Sequence, residues 1–383
     1  MKVISCASYH GTGSSAITDF LGEFDNVCSM TNYEFRFVQD PDGISDLEYN
    51  LVENHNRHNS GHALKRFKRL TDFNAGTKFN KRYEPFFDNQ YKKISYKYID
   101  RLTDFTFKGY WFYDLYDKGT FYYYLTRLPE KIMSKLHGSP EDVVFTNPLP
   151  NEITYCSHPT EEQFLTYTKE YIDELLTIAN KEHKPYLMVD QIVPPSNIQR
   201  FVRYFNDIKV IVVDRDPRDL YILAKYMWKD PVVPCESVDL FCKWFAYIRE
   251  HRKTEVYDPK YAILVQFEDL IYKYDETTSR IMDWLGLTKE QHVSPKSGFD
   301  PAKSIKNTKL WISNPEYQKE AEDLLTFVEE HFETSWDEVN TLIPIHYGQV
   351  KVIPKGEDYQ VVVQNYEHKL LEEWVEDFSY FLE

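Results

Sequence analysis

The chain has 383 residues, 42% of them hydrophobic and 16% aromatic, enough for a sizeable core in one large domain or two smaller ones. Its 45 Lys and Arg against 61 Asp and Glu leave a net charge of −16, which argues against a protein that coats nucleic acid by neutralising phosphates. Five cysteines with no CxxC pair, no leader-like start and no apolar run of about 18 residues predict a reduced cytoplasmic protein without disulfides or membrane spans.

Lys2–Ser8 reads as a short buried strand, and Gly11-Thr12-Gly13-Ser14-Ser15 follow before a helix that begins at Ala16. Strand, glycine turn and helix together aim free backbone N–H groups at an anion. The loop lacks the Gly-Lys-Ser/Thr ending of nucleotide-hydrolase P-loops. The competing reading is a glycine turn with a serine cap and no ligand. Val27–Met30 predicts a second strand, leading into Thr31–Phe37. Residues 40–63 are polar and turn-rich; His55, His58 and His62 would share a face only on a helix, so no metal site is expected.

From Leu64 to Arg101 the chain carries 11 Lys and Arg against four Asp and Glu, either a solvated face or a cleft wall that attracts an anion. Tyr110–Tyr113 and Phe121–Leu125 read as helices, and 40–150 as an insertion or cap.

Thr160 and Gln163 form a capping box for a helix with a stripe at Phe164, Tyr167, Tyr171, Leu175 and Ile178. Strands at Tyr186–Val193, Lys209–Asp214 and Tyr261–Phe267 then alternate with helices at Asn197–Phe205, from Pro217, at Val238–Lys253 and at Glu276–Leu285, the last ending on Gly286. This alternation predicts a doubly wound α/β fold: a mostly parallel central sheet with helices on both faces. The expected division is an α/β domain over 1–315, containing the insertion, and a tail over 316–383 packed on the body. In the tail, Gln349–Ile353 and Tyr359–Gln364 predict a β-hairpin. A final helix would carry Tyr366, Leu370, Trp374 and Phe378 on one face, against its own body or in a homodimer.

Three segments resemble, in order and approximate spacing, the sulfotransferases that use 3′-phosphoadenosine 5′-phosphosulfate (PAPS). Gly11–Ala16 is similar to the family's 5′-phosphosulfate loop. Val212–Asp219 (VVDRDPRD) resembles its strand-end Arg-Asn/Asp-Pro-x-Asp. Leu264–Leu287 resembles the stretch in which Glu-Asp-Leu leads into a helix ending Leu-Gly-Leu. Asp190-Gln191 to Pro195 and Phe299–Trp311 are weaker echoes, and together the matches frame residues 1–40 and 185–311.

The resemblance implies a P-loop-like sulfotransferase fold of the heparan or bacterial type. It implies PAPS as co-substrate, no required metal, and transfer of the sulfuryl group to a hydroxyl or amine of a carbohydrate or an aromatic small molecule. Gly11, Thr12, Gly13, Ser14, Ser15 and Ala16 would hold the 5′ end, Arg215 the 3′-phosphate, and Lys306 and Lys309 would cover it. Glu34, 23 positions after Gly11, would be the general base, with His10 as competitor. Two family positions depart: the loop Lys/Arg is Gly11, and the serine that follows the 3′-phosphate arginine is Leu223. Lys225, Lys303, Lys306 and Lys309 are candidate replacements. The alternatives are a nucleotide-binding protein without catalysis and an ATP-dependent phosphotransferase.

Overall fold

The computed structural model describes residues 1–136, 148–255, 257–331, 349–355 and 358–364. Strand β1 (Lys2–Ser8) leads to helix α1 (Ser14–Leu21) and strand β2 (Val27–Glu34). Next come α2 (Ile44–Glu48), α3 (Asn59–Ala75), α4 (Tyr91–Leu102), β3 (Phe105–Lys108), α5 (Phe112–Tyr116), α6 (Thr120–Leu136), β4 (Ile153–Cys156) and α7 (Glu161–Ala179). The chain continues through β5 (Tyr186–Asp190), α8 (Ile198–Val202), β6 (Ile208–Asp214), α9 (Pro217–Ile222), α10 (Val238–Tyr247) and β7 (Ala262–Gln266). Helices α11 (Asp269–Tyr272), α12 (Tyr274–Leu285), α13 (Pro301–Ser304) and α14 (Pro315–His331) precede the pair β8 (Gln349–Lys355) and β9 (Asp358–Gln364).

The chain divides into two compact units. The first comprises 1–35, 182–202 and 207–383; the second comprises 36–181 with 203–206. The first is built on a five-stranded sheet of order β2-β5-β1-β6-β7, every pairing parallel. Ile4, Cys6, Met188, Ile211, Val213 and Val265 pack with Ile17, Phe20 and Leu21 of α1 and Ile281 and Leu285 of α12. The alternate residues Val3, Ala7, Leu187, Val189, Val210 and Val212 are buried too, as expected of a parallel sheet covered on both faces. This is the expected mostly parallel α/β architecture. The predicted hairpin is also present, β8 pairing antiparallel with β9. The helix expected after Asn365 lies outside the described residues.

In the second unit, α4 and α7 pack through Tyr98 and Tyr171, stacked with centroids 4.4 Å apart. The capping box is present: Thr160 Oγ1 accepts from Gln163 N, and Gln163 Oε1 accepts from Thr160 N. Residues 203–206 join this unit because buried Glu48 accepts from Arg203 (2.6 Å) and Tyr204 (2.5 Å).

Several elements differ from the sequence reading: β2 runs on to Glu34, α8 and α10 end early at Val202 and Tyr247, α5 is shifted to Phe112–Tyr116, and three further differences have a clear physical reason. Residues 40–63, expected as loop, contain α2 and the start of α3. Ile44, Leu47 and Leu51 are wholly buried, and Gly61 lets α3 close on β4, where a Cβ would sit 2.2 Å from the Tyr155 carbonyl oxygen. Strand β3, antiparallel to β4, escaped notice because it is only four residues long and all four are exposed. Strand β5 stops at Asp190 rather than Val193, since Gln191 turns the chain with φ +57°.

Candidate functional site

Because every strand of the main sheet is parallel, their carboxyl ends share one edge. Glu34 ends β2 opposite Asp190 on β5, Asp190 lies opposite Cys6 on β1, and Asp214 on β6 lies opposite Gln266 on β7. Strands β2 and β5 lie on one side of β1 and β6 and β7 on the other, so the direction of winding reverses beside β1, and open α/β sheets bind ligands at the carboxyl edge beside such a reversal.

The loop after β1 is shaped by two left-handed glycines, Gly11 (φ +73°) and Gly13 (φ +96°). Thr12 pins it down: its hydroxyl donates to Tyr9 O (2.8 Å) or Val213 O (2.7 Å), tying the loop to β6. Gly13 is the N-cap of α1 and has no side chain to turn back on the helix. The N–H groups of Gly13, Ser14 and Ser15 therefore have no acceptor among the described residues. These N–H groups and the positive end of the helix dipole make an anion cradle. Thr12 and Ala16 face inward, and the Ala16 N–H donates to Gly13 O (3.1 Å). Gly11 through Ser15 thus shape or line the cradle, while Ala16 belongs to its foundation.

One strand over, Arg215 follows β6 and is only 3% exposed. Its guanidinium lies 4.6 Å from the Phe267 ring centroid and donates through Nη2 to Asn307 O. Its Nε has no partner among the described residues. Burial lowers its pKa, and Asp219, Glu268 and Asp216 oppose that shift. Asp216 caps α9 by accepting from Arg218 N (2.9 Å) and pairs with the Arg218 guanidinium, so it acts on Arg215 only through its charge. Burial raises the pKa of Glu268 well above the carboxylate range. Burial and the neighbouring Asp216 push Asp219 up to about 7.

The base of Arg215 is held rigidly. Its N–H donates to Asp214 Oδ1 (2.8 Å), and Asp214 is clamped by Arg249 (2.6 and 3.0 Å) and Arg252 (2.6 Å). Burial raises the Asp214 pKa, but the two arginines outweigh it and the net shift is downward.

The other expected residues are spread around this edge. Glu34 is exposed at the end of β2. His10 Nε2 lies 2.5 Å from Asp230 Oδ2 at the loop's outer side, engaged with a carboxylate of its own. Lys306 is exposed. Lys309 sits 5.0 Å from the Tyr272 ring centroid, where desolvation lowers its pKa to about 5. Lys225 is tied to Glu320 and Tyr221, and Lys303 lies 3.6 Å from Asp300.

The two departures from the family pattern have steric reasons. A Cβ on Gly11 would sit 2.8 Å from Leu220 Cδ1 and 2.9 Å from Trp228 Cζ3, at a φ that disfavours any side chain. Leu223 is buried in an apolar cluster with Phe241, Phe245 and Trp311. The three histidines considered for a metal have separate engagements: His55 stacks on His158, His58 meets the Trp111 ring, and His62 lies 3.6 Å from Asp117.

Sequence reasoning missed Glu23, Asp214 and Glu268 as organisers of the site. Glu268 stood in the Glu-Asp-Leu stretch, which was a usable signal. Glu23 accepts from the backbone of Lys296, Gly298 and Phe299, a long-range relation that leaves no local pattern.

No family model matches the chain, and no curated protein does. Among solved structures, the sulfotransferase domain of the Synechococcus olefin synthase aligns over 87% of this chain and 94% of its own, at 13% identity and a TM-score of 0.38. The sulfotransferase domain from the curacin biosynthetic pathway aligns over 84% and 97%, at 14% identity and a TM-score of 0.36. A sulfotransferase from Mycobacterium tuberculosis aligns over 80% and 76%, at 11% identity and a TM-score of 0.28.

Proposed function

We propose that the carboxyl edge of this sheet binds a nucleotide phosphorylated at both its 3′ and 5′ positions, and that the protein is a PAPS-dependent sulfotransferase. The observation that carries this reading is the pairing of two anion-seeking sites on neighbouring strands. One is the loop of unpaired N–H groups at Gly13–Ser15; the other is buried Arg215 with its unpaired Nε. They follow neighbouring strands, β1 and β6, so one ligand with two anionic ends would account for both. A buried cation with an unused donor is costly alone and is satisfied by a phosphate.

In the proposed reaction an acceptor oxygen or nitrogen attacks sulfur in line. The new bond to sulfur forms as the bond to the 5′-phosphate oxygen breaks, and the acceptor's proton passes to the Glu34 carboxylate. Charge growing on the 5′-phosphate falls on the N–H groups of Gly13, Ser14 and Ser15, which need no reorganisation to receive it. Lys306 and Lys309 would cover the 3′-phosphate.

Gly11 also favours a second reading, a nucleotide-binding protein without turnover, because no loop cation occupies the position beside the bridging oxygen. Calorimetry with adenosine 3′,5′-bisphosphate and with Mg-ATP, followed by PAPS turnover over an acceptor library, separates the readings. Binding of the bisphosphate with turnover is expected. Binding without turnover on any acceptor favours the second reading, and a preference for Mg-ATP would replace both with a phosphotransferase.

A further inference from the structure

The second unit holds a polar pocket between α2, the turn that follows it and the start of α3. It encloses about 400 Å³, part of it open to solvent, within the range of small-ligand sites. Asp42, Asp46, Asn50, Asn59, His62 and Arg66 supply its polar lining. All six belong to the second unit and none to the parallel sheet.

The walls are set before any ligand arrives. Arg66 grips Asp42 through Nε (2.5 Å) and Nη2 (3.0 Å), and Asp42 N donates to Asp46 Oδ2 (2.7 Å). Asn50 Nδ2 donates to Asp46 O (2.8 Å), and Asn59 Nδ2 to Asn54 O (3.2 Å). Asn50 stands on a π-helical turn, Tyr49–Glu53, closed by Asn54 N donating to Tyr49 O (2.7 Å). Asp46 Oδ1, Asn50 Oδ1 and Asn59 Oδ1 are left as acceptors without partners among the described residues. Arg66 Nη1 is a spare donor. The His62 ring, which burial keeps neutral at pH 7 by lowering its pKa, can give or take one bond at Nδ1.

This inventory selects the ligand. A metal ion is poorly served: Asp42 is spent on Arg66, Asp46 offers one free oxygen, and no group of three His, Cys, Asp or Glu fit for a metal occurs among the described residues. An anion meets a lining of formal charge −1, from Asp42 and Asp46 against Arg66. Asp117, which faces His62, is ion-paired with Arg69 (2.6 Å) and leaves that sum unchanged. An apolar molecule finds only Leu47 and Ala63 to cover. A sugar answers the whole set, because each hydroxyl donates one hydrogen bond and accepts others. Leu47 and Ala63, with half-exposed Tyr113 against His62 (ring centroids 5.6 Å), suit the C–H face of a pyranose ring.

We propose that this pocket binds a pyranose sugar through its hydroxyls and disfavours acidic sugars. The inference stands on the second unit alone and does not rest on the reaction proposed above.

The full chain is titrated at low salt, by calorimetry and saturation-transfer NMR, with methyl glucoside and methyl galactoside, each beside its uronate. Binding of at least one neutral pyranoside is expected, with its uronate about fivefold weaker, the effect of one unit charge at close range in water. Asp46→Asn keeps an acceptor for Asp42 N and should remove most of that difference. Asn50→Ala with Asn59→Ala should weaken neutral-sugar binding about fivefold per residue, with the thermal midpoint measured alongside. If that pair fails to fold, the wild-type preference and the Asp46→Asn response decide. No binding of either neutral pyranoside, a uronate bound as well as its neutral counterpart, or sugar binding untouched by both variants would overturn the proposal. Calcium or sulfate bound in place of sugar and lost in the Asn50/Asn59 pair would also overturn it, assigning the pocket to an ion.

Discussion

At Arg215 burial and chemistry pull in opposite directions, and that conflict makes the residue testable. Desolvation disfavours its charge, three nearby carboxylates sustain it, and Nε keeps an unused donor. Arg215→Ala should weaken adenosine 3′,5′-bisphosphate binding by about 1.5–3 kcal/mol, read by calorimetry, the range of charge-assisted hydrogen bonds. Unchanged affinity would remove Arg215 from the site. Glu34→Gln should leave that affinity intact and cut PAPS turnover about 10²–10⁴-fold, the usual weight of a positioned base; near-normal turnover would pass the role to another group. Lys309, with its pKa near 5, is largely neutral at pH 7 in the free protein. A phosphate beside it favours the ammonium, so nucleotide binding should take up protons at pH 7, and affinity should fall as pH rises. Calorimetry in buffers of different ionisation enthalpy measures that uptake. Asp219, near 7, responds to an added anion in the same direction, so Lys309→Met reads Lys309's own share. Absence of uptake would place Lys309 away from the phosphate. The loop and Arg215 were legible in sequence because each sits in a local motif. The Asp214–Arg249–Arg252 clamp was not, because its partners lie 35 and 38 positions apart and meet only through packing.

The late stretch from Phe299 to Trp311 behaves as one element although it is broken into short turns. Buried Glu23 accepts from Gly298 N and Phe299 N (each 2.9 Å) at its start, and His292 Nε2 lies 2.5 Å from the same carboxylate. Near the far end Asp219 accepts from Lys309 N and Leu310 N (each 2.7 Å), and between the two Arg215 donates to Asn307 O. The element that would cover the 3′-phosphate is thus pinned by carboxylates reaching it from α9 and from the turn after α1. Asp219→Ala strands two N–H donors, at a local cost of about 2 kcal/mol or more. Amide exchange at Lys309 and Leu310 should accelerate about 30-fold or more, with β1 and β6 unchanged, and bisphosphate affinity should drop. Protection equal to wild type would mean that packing of Leu310 and Trp311 holds the stretch instead. Sequence exposed the strands β1, β6 and β7 because doubly buried strands read as apolar runs. It hid β3, whose residues all face water, and α2, whose Ile44 and Leu47 are set among polar neighbours.

On the scale of the molecule, the parallel sheet and the separation of residues 36–181 decide the architecture. The alternation of strand and helix after residue 185 made the first legible. Without alternation or motif, residues 40–150 disclosed α5 and α6 through their aromatic runs but not α2, α3 or α4. The strand order has a further effect. Strand β5 lies between β2 and β1, so residues 1–34 make two strands that do not pair with each other. Their shared neighbour begins at Tyr186, roughly 150 residues later, which at ~5–20 residues per second is about 8–30 s of ribosome time. Throughout that interval the nascent chain carries the glycine loop between two strands with open edges. Synthesis of this protein is therefore expected to lean on ribosome-associated chaperones, and slowing translation before Tyr186 should lower its soluble yield more than slowing it afterwards.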